Sequence, residues 1–301
     1  MNKEISLALG GGGLKGLSHA GVIKRLIELG FEIKSIAGTS IGGLIGALYC
    51  AGYTPDEIIS TASQFNQHSI YTFHNDGPGL LNLQSIAQLL INKLGDITFK
   101  DLKIKFACPA VDINSCQEYI FCNTHVVDGV LSTISVPGVF PPHSFANHEF
   151  VDGATINPVP VEVAKWLSPN LPVIAVPLSS PPDNNDYNPI TPILNSMPIP
   201  VPLIEQFSKM RIARAFSIFS KSIDISSIYL TEFKLESDRP DVILRPDVAR
   251  YGVFDPVDIM DMVQKGIDSV DQQIEKINNS LNLFSQLKRL NRKPVPPKRM
   301  I

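Results

Sequence analysis

The chain opens with short apolar runs alternating with longer amphipathic ones. Ile5-Ser6-Leu7-Ala8-Leu9 is an apolar run of strand length, and Gly10 to Gly13 follow it as a loop. Between 14 and 29, apolar residues recur at Leu14, Leu17, Ala20, Ile23, Leu26 and Ile27. That is the spacing of one helix face, and Gly30 suits its stop. Residues 33–37 predict a second strand, Gly38-Thr39-Ser40-Ile41-Gly42 a tight turn, and 43–51 a second helix closed by Gly52. Thr54-Pro55-Asp56-Glu57 supplies an N-cap, a proline at the first helical position and a glutamate at the third, so a third helix starts there. Strands and helices in alternation imply an α/β fold of three layers, with a mostly parallel central sheet and helices on both faces.

Further along, strands are expected at 104–107, 118–121, 148–152, 173–176, 228–235 and 242–244. Helices are expected at 83–94, at 159–167 and, as one long element, from about 257 to 290. Residues 177–202 hold eight of the 24 prolines, which excludes helix and central strand and predicts a loop: a wall, a lid or a plain connection. No internal repeat is visible. The organisation expected is one domain over 1–290 carrying the proline-rich loop, followed by a basic tail at 291–301.

Composition narrows the class. At 301 residues, 44% hydrophobic and 18% charged, the chain has the makings of a substantial core. A net charge of −3 gives no global basic field for nucleic acid. Cys50, Cys108, Cys116 and Cys122 form no C-x-x-C pair, so neither a disulfide scaffold nor a zinc site is expected, and a reducing, cytoplasmic compartment is. Residues 1–9 lack the pattern of an export signal. The uncharged stretch 35–55 is long enough to span a bilayer, but its five glycines and its Thr39, Ser40 and Thr54 read as strand, turn and helix.

Three segments carry candidate chemistry. The turn at 38–42 is G-x-S-x-G between a strand and a helix, the setting that exposes a serine hydroxyl as a nucleophile; the bland alternative is an N-cap serine. Gly10-Gly11-Gly12-Gly13-Leu14-Lys15-Gly16 fits a dinucleotide loop, a phosphate loop or an oxyanion hole made of backbone N–H groups. The first reading lacks the acidic residue at the end of the next strand, and the second has Gly16 where Ser or Thr would meet magnesium. Lys15 either orders the loop, meets an anionic substrate group or is solvated. The third segment, Asp152-Gly153-Ala154, ends a short alternating run; it is a plain Asp-Gly turn or a carboxylate facing a cleft.

In this order the segments resemble the patatin-like phospholipase family, whose pattern is G-G-G-x-[K/R]-G, then G-x-S-x-G, then D-G-[G/A]. The runs 137–142 and 157–160 are similar to the flanks of the family's aspartate, and the likeness covers about residues 5–178. The resemblance implies a Ser40–Asp152 dyad, an oxyanion hole at Gly11, Gly12 and Gly13, and supporting motif positions at Lys15, Gly16, Gly38, Gly42, Gly153 and Ala154. It implies a serine acyl hydrolase of phospholipase A or lysophospholipase type acting on a lipid or acyl ester, with no metal and no cofactor. The order of residues agrees: no histidine follows His148, so a Ser–acid–His triad of the usual α/β kind has no late histidine. His143 or His148, oriented by Asp112, is the alternative base. A broad carboxylesterase or acyltransferase with the same dyad, and a non-catalytic nucleotide- or acyl-binding module, are the rival functions. Lys288, Arg289, Arg292, Lys293, Lys298 and Arg299, with no acid after Glu275, read as a peripheral membrane contact or a solvated end. The pattern specifies no oligomeric state.

Overall fold

The computed structural model describes residues 3–64, 83–181, 203–253 and 255–301. The proline-rich segment 177–202 lies outside the described residues beyond position 181. Strands β1 (Glu4–Leu9), β2 (Glu32–Gly38), β3 (Lys105–Asp112), β4 (Gln117–Phe121), β5 (His143–Phe145), β6 (His148–Asp152), β7 (Val173–Val176) and β8 (Val242–Ile243) form one sheet. Its order is β5-β6-β3-β2-β1-β7-β8, with β4 also on β3. The pairs β3-β2, β2-β1, β1-β7 and β7-β8 are parallel, and β4, β6 and β5 add an antiparallel corner.

The two faces are dressed differently. Ile5, Leu7 and Leu9 of β1 point into a large cluster under α1 (Ser18–Glu28), α2 (Ile41–Ala51), α3 (Pro55–Gln64), α4 (Gln84–Leu94) and α5 (Val126–Ile134). The alternate positions are small: Ala8, Ala37, Ala107 and Ala175 meet α6 (Val161–Leu167) in a second cluster. Beneath α6, Ser6 and Ser35 share a 2.7 Å hydrogen bond, and Ser35 donates to Ser168 at 2.8 Å, so these buried hydroxyls are satisfied.

The sequence pattern ends the third strand at 107, before Cys108-Pro109, yet β3 runs on to Asp112. The reason is a change of partner. β2 pairs with residues 105–107, and β6, running the other way, pairs with 110–112. Pro109 sits where the two meet, so its missing N–H interrupts neither ladder.

The strand expected at 228–235 is instead part of α7 (Leu203–Asp238). Thr231, Leu235 and Asp238 are buried at helical spacing against the α6 side, and that packing outweighs the β-branched local composition. Ser226 and Thr231 return their hydroxyls to the carbonyls four residues earlier. The helix expected from 257 to 290 is two: α8 (Ile259–Ser280) and α9 (Leu283–Leu290). Asn282 restarts the helix by accepting the Ser285 N–H at 2.8 Å. Helix α5 and strand β5 have no counterpart in the pattern, whereas β6 is the strand expected at 148–152. The last residues are bound rather than solvated: Ile120 N–H donates to Arg299 C=O, and Cys122 N–H donates to Ile301 C=O at 2.7 Å.

Candidate active site

Ser40 joins β2 to α2 with φ 55° and ψ −126°, a strained backbone for a non-glycine residue. The turn closes only because its flanks lack side chains. A Cβ on Gly38 would sit 2.3 Å from Gly42 O, and one on Gly42 would sit 2.4 Å from Leu9 O. A Cβ on Gly16 would lie 2.3 Å from a methyl of Ile41, the residue after the serine. The Ser40 N–H donates to Thr133 Oγ1 at 3.1 Å, and that hydroxyl donates to Pro109 O at 2.6 Å. Thr133, on α5, thus ties the turn to the proline at the strand junction.

Asp152 ends β6 on the far side of that junction and is buried. Its Oδ1 accepts the Ala154 N–H at 2.7 Å, and the Ser40 hydroxyl lies near enough to the same carboxyl to pull its pKa down. Burial pushes the carboxyl up from 3.8 to about 7, against the pull of the Ser40 hydroxyl and the Ala154 amide. A Cβ on Gly153 would sit 2.3 Å from Pro109 O, so the chain turns tightly over the proline as it leaves Asp152.

The glycine loop packs on the other side of Ser40. A Cβ on Gly11 would come within 3.3 Å of Ser40 Cβ and 3.4 Å of Ala154 Cβ. The three glycines are not equivalent, however. The Gly11 N–H donates to Pro158 O at 3.0 Å, whereas among the described residues no backbone carbonyl takes the amides of Gly12 or Gly13. Lys15 is not solvated. It is buried with its ammonium 3.4 Å from Tyr251 O; burial pulls its pKa down, and Asp224 of α7 and Asp255 oppose that. The Leu14 N–H donates to Val253 O at 3.1 Å, so the loop is held by the C-terminal third of the chain.

His19 lies beneath, fully buried, with Nε2 2.8 Å from Gly10 O. Burial drops its pKa to about 4 despite the Gly10 bond, so it is neutral at neutral pH and donates from Nε2. Sequence reading missed Thr133, His19 and Pro158. Thr133 falls in an unrecognised helix and His19 in a recognised one, but nothing local marks either.

The alternative bases lie elsewhere. His143 Nε2 is 3.1 Å from Asp128, and His148 Nδ1 is 3.2 Å from Asp112, at the opposite end of β6 from Asp152. Burial raises the Asp112 carboxyl, but hydrogen bonds from Ser115, the Glu149 N–H and His148 outweigh it and bring it to about 2. Among the described residues no group of three His, Cys, Asp or Glu side chains is placed to hold a metal ion, and no helix is long and apolar enough to cross a membrane.

The chain is 29% identical over 179 residues to an uncharacterized NTE family protein of Mycobacterium bovis, covering 58% of this chain and 49% of that one. It is 24% identical over 307 residues to a lysophospholipase of Emericella nidulans, covering 93% of this chain and 19% of that one. It therefore spans about half or less of the length of these curated relatives. The solved structure of VipD from Legionella pneumophila shares the fold, with a TM-score of 0.57 at 12% identity, covering 92% of this chain and 67% of that one. The family model for patatin-like phospholipases matches residues 7–165, which include the glycine loop, the serine turn and the aspartate turn. On that match, the chain belongs to the patatin-like phospholipase family.

Proposed function

We propose that this chain is a serine acyl hydrolase that cleaves ester bonds of phospholipids or lysophospholipids through a Ser40–Asp152 dyad. The observation that carries the reading is a buried carboxyl, raised to about 7, facing the hydroxyl of a strained serine. A carboxylate of ordinary pKa is a poor base at neutral pH; one poised near 7 is matched to the task. In the proposed cycle Asp152 takes the Ser40 proton as the hydroxyl oxygen attacks the ester carbonyl. The amides of Gly12 and Gly13 bind the oxyanion, each donor lowering the barrier by about 3 kcal/mol. The tetrahedral centre collapses, and the leaving alkoxide takes the proton from Asp152. Water then attacks the acyl-serine, giving its proton to Asp152; collapse releases the fatty acid and expels the Ser40 oxygen, which takes that proton back from Asp152. The lysophospholipase among the chain's relatives supports the choice of lipid ester as substrate.

The test is hydrolysis of phosphatidylcholine and lysophosphatidylcholine in mixed micelles, alongside labelling by a fluorophosphonate. Wild type is expected to turn over and to be labelled on Ser40. Ser40→Ala should abolish both, and Asp152→Asn should reduce both by several orders of magnitude. Near-normal turnover in Asp152→Asn would exclude the dyad.

A further inference from the structure

Helix α9 is inside out for a helix on a protein surface. Leu283, Leu287 and Leu290, at helical spacing, and Phe284 beside them are 53–67% exposed, while Arg289 on the opposite side is 2% exposed. The helix is held to the body by its polar face. Arg289 donates to the Asn170 carbonyl and to Asp241 at 3.2 Å, and Arg292 adds two 3.1 Å bonds to the same carboxylate. The ordinary arrangement buries the apolar stripe and exposes the charges. Here charge does the anchoring, and the stripe is left facing out.

What borders the stripe identifies what it meets. Lys288 in the helix and Lys293 three residues beyond it are exposed, and no acidic residue follows Glu275. A second copy docking through the same face about a two-fold axis would oppose lysine to lysine. An apolar stripe rimmed by cations suits a surface that is apolar beneath and anionic above. We infer that α9, with Lys288 and Lys293 at its rim, forms a docking surface for an anionic lipid bilayer. Its place in the fold gives it a particular role. Asp241 and Asn170 stand at the amino ends of β8 and β7, whereas Ser40 follows the carboxyl end of β2. The surface is therefore a tether that concentrates the protein at a membrane, separate from the mouth of the proposed active site. The inference does not depend on the hydrolase reading.

The test uses the full chain and vesicles of phosphatidylcholine with or without phosphatidylserine. Co-sedimentation is read beside turnover of a soluble short-chain ester. Wild type is expected to bind the phosphatidylserine vesicles and to lose binding as salt is raised. The combined variant Leu283→Gln, Leu287→Gln, Leu290→Gln should weaken binding by about a hundredfold, and each of Lys288→Gln and Lys293→Gln by about fivefold. All should keep wild-type melting temperature and short-chain turnover. Ser40→Ala should bind vesicles as wild type does, so loss of hydrolysis and loss of docking are distinguishable. Failure of wild type to prefer the anionic vesicles would overturn the inference, as would leucine variants that bind as tightly as wild type. A lipid-free dimer that the leucine variants dissociate would assign the stripe to a second copy and overturn it equally.

Discussion

Replacing Asp152 by Asn should produce an inactive protein that is more stable than wild type, and more so as pH rises. The folded protein holds the Asp152 carboxyl at about 7, because it is buried, against 3.8 when exposed. Between those values the folded state keeps a proton that the unfolded chain releases. Wild type therefore loses stability from about pH 4 to about pH 7, and above pH 7 it carries the full cost of a buried charge. A rise of about three on the pH scale, at about 1.4 kcal/mol each, makes that cost about 4 kcal/mol. Asn occupies the same volume, can still accept the Ala154 N–H and never ionises. The variant and wild type should melt alike below pH 4, and at pH 8 the variant should melt higher by roughly 5–10 °C. The difference between the two proteins is the quantity to read, because His19 works in the opposite direction. Its depressed pKa of about 4 makes wild type gain stability as pH rises toward 6.5, and that contribution cancels in the comparison. Urea or thermal melts across pH 4–9 measure it. An Asn variant no more stable at pH 8 than at pH 4, relative to wild type, would refute the claim that burial sets this carboxyl's proton affinity.

The same value predicts activity: kcat/KM on a soluble ester should rise with pH through a midpoint near 7 and then level off, and an acidic optimum would contradict Asp152 as the base. Thr133→Val keeps the shape but strands the Ser40 N–H and the Pro109 carbonyl; it should cost about 2 kcal/mol in urea melts and lower kcat at least tenfold with KM little changed. Gly42→Ala places a Cβ 2.4 Å from Leu9 O, so it should destabilise by about 2–3 kcal/mol and remove fluorophosphonate labelling of Ser40 even where the protein stays folded. Asp241→Asn leaves Arg289 buried without its counter-charge and should cost about 3 kcal/mol in the same melts.

What the sequence made legible is local. The alternation of strand and helix through residue 64, and the backbone demands of the turn at 38–42, are written in contiguous residues and their glycines. What stayed hidden depends on parts of the chain remote from one another. Nothing around Thr133 announces that its hydroxyl bridges a turn 93 residues earlier. Nothing at Pro158 announces that its carbonyl takes the Gly11 amide. The strand read at 228–235 failed for a related reason: Ile228, Tyr229 and Thr231 favour a strand by themselves, and only the surface offered by α6 makes them helical. The break at Asn282 was readable in principle, since asparagine is a good N-cap, but the apolar spacing runs across it and hid the restart.

The pairing of β2 and β6 with successive stretches of one strand, β3, has a consequence for how the protein tolerates change. The spacing of alcohol and acid is fixed by two registers read off one ruler, not by the chain that connects them. Insertions or deletions between the two strands leave the reactive distance untouched so long as both registers hold. A slip of β6 by a single residue would carry the carboxylate to the opposite face of the sheet. Evolution is therefore free to rewrite the connections and narrowly confined in the five residues of β6.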